Sequence, residues 1–144
     1  MLRLVHPVAG TFAFLMILAF WTSTVGSELL GSLDTVAVVK QAIPWGFLIL
    51  VPALAVTGAS GFRMAAGASE PRIAAKKRRM PVIAANGLLI LIPAALYLAM
   101  LASRGRFGGL FYAVQAVELA AGAVNLTLLA LNIRDGLRLA GRLR

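Results

Sequence analysis

The sequence predicts an all-α integral membrane protein, an antiparallel bundle of four transmembrane helices in a single domain. Three observations carry this. The 144 residues are 60% hydrophobic with a mean hydropathy of +0.90, and only 13% are charged, where a soluble domain has about 25%. Four apolar stretches, at about 6–30, 36–62, 81–102 and 110–132, are each long enough to cross a hydrocarbon core of about 30 Å at ~1.5 Å rise per residue. Eleven of the fourteen Lys and Arg residues fall in the N-terminus, the 63–80 segment and the tail, which are alternate connections of such a bundle.

The first segment follows a basic residue, Arg3, and has an apolar body from Val8 to Trp21. The apolar stretch as a whole exceeds the ~7–15 residues of a signal-peptide core, so it is expected to stay as a helix. A polar outer third with Trp21, Thr24, Ser27 and Glu28 comes next, and Gly31, Ser32 and Asp34 mark a short connection. The second segment holds Lys40, Pro44, Trp45 and Pro52 and ends at Arg63. Its Ala53, Thr57 and Gly61, at four-residue spacing, form a ridge of small side chains that lets another helix approach closely.

The 63–80 segment is expected to be a basic cytoplasmic loop. Its run Lys76, Lys77, Arg78 and Arg79 orients the chain in the membrane and offers candidate contacts for anionic lipid headgroups. Pro81 opens the third segment, where its missing N–H costs little. Gly108 and Gly109 suit a tight connection to the fourth. Beyond Asn132, Arg134, Arg138 and Arg142 recur at four-residue steps, with Ile133, Leu137, Ala140 and Leu143 on another face. Such a basic amphipathic element suits a membrane surface. The positive-inside rule then places both termini and the basic loop in the cytoplasm of a bacterial-type inner membrane, with Glu28 and Asp34 outside. Arg104 and Arg106 run against that rule.

The fourth segment is the chemical centre of the chain. Gln115, Glu118, Gly122, Asn125, Leu129 and Asn132 alternate at steps of three and four and so share one side of a helix, opposite Val117, Leu119, Val124, Leu128 and Leu131. Unpartnered amides and carboxylates are costly in hydrocarbon, so this seam should face other helices or a wet cavity. Glu118, near mid-membrane, is expected either to hold helices together or to handle a proton or ion. Gln115, Asn125, Lys40 and Glu28 are the remaining intramembrane polar candidates. By depth, Lys40 is expected to pair with Glu28 in preference to Glu118.

A short echo links Gly46–Ala53 with Gly87–Ala94, placing Pro52 and Pro93 near mid-depth in two oppositely directed helices. Each proline removes a ladder donor and is expected to kink its helix. Paired interruptions around an acid are also how some transporters build a central site. His6, the only histidine, precedes Pro7 and is the one candidate ligand for a haem b.

With no cysteine, disulfides, iron–sulfur clusters and thiolate nucleophiles are excluded. Neither a phosphate-binding glycine loop nor a complete nucleophile–base set is evident. The net charge of +9 follows membrane topology, so nucleic-acid binding is not expected. The leading expectation is an accessory or assembly subunit, with no cofactor, that binds membrane lipids, anionic ones included, and uses the intramembrane polar contacts of the seam to join a homo-oligomer or a larger membrane complex. Alternatives are a minimal proton-linked or small-solute transporter working through Glu118, and a haem- or quinone-linked electron-transfer subunit using His6.

Overall fold

A computed structural model describes residues 2–67 and 69–141, and these are helical with no strand among them. Helix α1 covers Leu2–Leu30 and α2 Leu33–Met64. Then α3 (Pro71–Asn86), a π-helical turn (Gly87–Leu91) and α4 (Ile92–Ser103) form one continuous rod, and α5 covers Gly109–Leu139. Counting that rod once, four helices are long and apolar enough to cross a membrane, consistent with a multi-pass membrane protein. Their outer faces carry large apolar side chains, with Leu30 92%, Leu89 75% and Trp45 74% exposed, a surface suited to lipid or apolar partners.

The α1–α2 turn needs its glycine. A Cβ at Gly31 would lie 2.6 Å from the Ser27 carbonyl oxygen and 2.9 Å from Thr35 Cβ. Ser32 then caps α2, its hydroxyl accepting from the Thr35 N–H at 3.3 Å. Between α4 and α5 the work falls to Gly105 instead of the expected Gly108 and Gly109. Gly105 takes φ +64°, its N–H donates to Ala102 O, and the Arg106 N–H reaches back to Leu101 O at 2.9 Å. This is the paired C-terminal cap that a left-handed glycine permits.

Two expected boundaries change. The 63–80 loop is helical from Pro71 onward, because Pro71 fits a first turn and the residues after it, Lys76 to Arg79 included, are good helix formers. The tail continues α5 to Leu139 without a break; Arg142 and Leu143 lie outside the described residues. The echo also fails to repeat in structure. Around Pro52, α2 is unbroken α-helix, whereas the chain before Pro93 widens into the π-turn, with the Ile92 N–H donating to Gly87 O. A proline cannot donate to the fourth carbonyl back, and the π-turn is where the rod accommodates that loss.

Helix α1 packs on α2 and α5, α5 also packs on α3 and α4, and α2 closes the ring on α4. No comparable packing joins α2 to α3. The ring is therefore shut at the end holding the α1–α2 and α4–α5 turns, around Val36, Leu98, Leu101 and Phe111. At the other, basic end α2 and α3 stand apart. The ridge of Ala53, Thr57 and Gly61 faces α1: a Cβ on Gly10 would meet Thr57, and one on Gly61 would meet the His6 ring.

Candidate functional site

The polar seam of α5 is turned inward. Gln115, Gly122, Asn125, Leu129 and Asn132 are buried, while Val117 and Val124 on the opposite side are exposed. Each polar residue of the seam meets a partner from another helix, and together they make a column through the protein.

At the centre Lys40 of α2 forms an ion pair with Glu118 and also donates to Thr24 Oγ1 of α1 at 3.4 Å. The Lys40 side chain is 1% exposed and that of Glu118 11%. This corrects the expected Lys40–Glu28 pairing. Glu28 instead accepts from Gln115 Nε2 at 2.7 Å, and the Lys40 ammonium reaches the acid deeper on α5. Nearby, Trp21 Nε1 donates to Leu119 O at 3.0 Å, its ring packed where a Cβ on Gly122 would stand. The small residue in the seam is what admits the indole.

Toward the basic end, Asn86 Nδ2 donates to Asn125 Oδ1 and to Ala121 O, both at 2.8 Å, and Asn125 Nδ2 donates to Ile83 O at 3.3 Å. Two turns further, Arg79 donates to Asp135 Oδ2 at 2.6 Å and to Asn132 Oδ1 at 3.3 Å. Asp135 lies beyond the apolar part of α5. Its hydrogen bond from Arg79 holds the carboxyl below the ordinary aspartate range, against a smaller opposing effect of burial. Asn86 and Asp135 were missed as site residues. Asp135 continues the three-and-four spacing of the seam past Asn132, and that step was the available signal.

The four candidate lipid-binding residues separate. Arg79 turns inward to Asp135, Arg78 is exposed, and Lys76 and Lys77 line a hollow of about 120 Å³ with His6, Phe62 and Met80. His6 Nδ1 lies 3.0 Å from Thr57 O and 3.1 Å from Ser60 Oγ. A carbonyl only accepts, so Nδ1 carries the proton and docks the start of α1 on α2. Pro52 and Pro93 are both exposed and line no part of the centre.

Where α2 and α3 stand apart lies a cavity of about 560 Å³, within the ~300–1,000 Å³ of small-molecule sites. Its walls are almost wholly apolar, including Leu54 and Phe62 of α2 and Ile83 and Leu91 opposite, and its main polar groups are Thr24, Glu118 and Asn125. The column is thus largely paired internally, with Gln115 Oε1 the buried seam atom left without a partner, yet Glu118 borders open space. Among the described residues there is no group of three or more His, Asp or Glu that could hold a metal ion. In comparisons with known proteins the chain matches no family model, no curated protein and no solved structure.

Proposed function

We propose that the chain is a multi-pass protein of a bacterial-type inner membrane, an antiparallel bundle with its basic end and both termini in the cytoplasm, acting as a non-catalytic accessory subunit. The observation that supports this best is the division of the molecule into a largely self-paired polar interior and an apolar exterior. The intramembrane amides and charges stabilise the bundle itself, so they are not the surface offered to another subunit. Association would use the outer apolar faces, where van der Waals packing drives helix contact in lipid. Native mass spectrometry of the protein released gently from its own membranes tests this. A heteromeric mass supports it, a clean homo-oligomer favours transport through Glu118 instead, and a pure monomer with intrinsic transport or redox activity sinks it.

A second reading, proton-linked or small-solute transport, draws on one specific observation. Glu118 is paired with Lys40 and also borders the cavity, the combination a carrier carboxylate needs if it is to exchange its partner for a proton. In liposomes Glu118→Gln should abolish pH-dependent flux. Undiminished flux would remove Glu118 from any mechanism.

A further inference from the structure

The cavity and the hollow at its basic end are continuous in their walls. Phe62 of α2 and Met80 of α3 line both. Met80 reaches across the gap, its Cε 3.8 Å from where a Cβ on Gly58 would stand, and its sulfur accepts from Asn132 Nδ2 at 3.7 Å. Beyond this narrowing the walls stay largely apolar, with Phe62, Met64, Ile73 and Leu139, but now also carry His6, Lys76 and Lys77. Lys76 and Lys77 face the hollow, and among the described residues neither has a carboxylate within 4.0 Å. The acids nearest this end are already engaged: Asp135 by Arg79 and Arg134, and Glu70 by Arg72.

We propose that this cleft seats one anionic phospholipid of the cytoplasmic leaflet, with an acyl chain between α2 and α3 and the phosphate headgroup in the hollow against Lys76 and Lys77. Three features select that occupant. The apolar wall on the third rod runs from Met80 to Ala95, about 22 Å at ~1.5 Å per residue, which exceeds half of a hydrocarbon core of ~30 Å. The gap lies on the side where α2 and α3 do not pack, so a chain can enter sideways from lipid. Two lysines without a salt bridge among the described residues line the end where a headgroup would stand, Lys77 exposed and Lys76 with its ammonium against Gly136 of α5, and lysines at a membrane surface attract anionic headgroups by about fivefold each. The Met80 thioether, flexible and polarisable, can adapt to a chain passing beside it.

The proposal rests on membrane insertion but not on the accessory role. Binding is therefore measured on the full chain in detergent micelles, by native mass spectrometry with added phosphatidylglycerol or phosphatidylcholine, while insertion is read separately by resistance to alkaline extraction from vesicles. The expected result is one retained phosphatidylglycerol, preferred over phosphatidylcholine. The Lys76→Gln, Lys77→Gln double variant should lose that preference by roughly 25-fold. Gly58→Leu, which fills the cleft, should lower retention of both lipids, and Arg78→Gln should change neither. The double variant keeps the test decisive if Gly58→Leu fails to fold. Equal binding of both lipids by the unaltered chain overturns the proposal. So does an equal loss with Arg78→Gln, which would mean diffuse surface charge, or full displacement by inorganic phosphate alone. A dimer mass with no bound lipid would assign the cleft to a second copy and overturn it as well.

Discussion

Lys40 on α2 and Glu118 on α5 form a buried ion pair across 78 positions of sequence, while Glu28, far closer to Lys40 in the chain, is held by Gln115. Together with Thr24 the pair ties α1, α2 and α5 at one level. It sits beside the cavity, so an ion pair that ties three helices together also forms part of the cavity wall.

Removing one member of that pair leaves a buried charge without a partner, which typically costs about 3–5 kcal/mol. Lys40→Met or Glu118→Leu should therefore each destabilise the protein strongly in detergent unfolding. The double variant Lys40→Met, Glu118→Leu should recover most of the loss, since no stranded charge remains. A double variant as unstable as the singles together would show that the two side chains act separately.

The Asn86–Asn125 contact should be worth less. Interhelical hydrogen bonds in membranes average about 0.6 kcal/mol and reach about 1.7. A double-mutant cycle with Asn86→Ala and Asn125→Ala should give a coupling energy within that range; zero coupling would mean that the amides are satisfied elsewhere.

Asp135 makes an acid-dependent contribution. Its folded pKa lies below the unfolded value of about 3.9 because Arg79 stabilises the carboxylate. The stabilisation is fully present above that unfolded value, shrinks as pH falls through the folded pKa, and is absent below it. Asp135→Asn should be less stable than the unaltered protein at pH 7, with the gap narrowing below about pH 4. A gap that does not vary with pH would detach Asp135 from this role.

The absence of cysteine makes topology directly measurable. Ser69→Cys, at the basic end, should be labelled in intact cells only by a membrane-permeant reagent, and Ser103→Cys also by an impermeant one. The reverse pattern would invert the orientation of the basic end.

Much was legible in the sequence because it depends on local terms. The apolar lengths predicted four helices, and the three-and-four spacing from Gln115 to Asn132 marked the buried side of α5, since helical periodicity is a property of the chain alone. What partners that side meets was not legible. Depth along separate helices put Glu28 nearest to Lys40, but the pairing also depends on helix rotation and on whether Gln115 claims Glu28 first. Likewise the matched Gly46–Ala53 and Gly87–Ala94 segments adopt different turns in their different surroundings.

The sequence by itself determined the helices, their apolar exteriors and the amides and charges that had to be hidden, because hydrophobic length and periodicity are set residue by residue. The tertiary structure decided that Lys40 takes Glu118, that the small-residue ridge serves α1, and that α2 closes on α4 while standing apart from α3. Those outcomes depend on distances between residues far apart in the chain, which only packing sets.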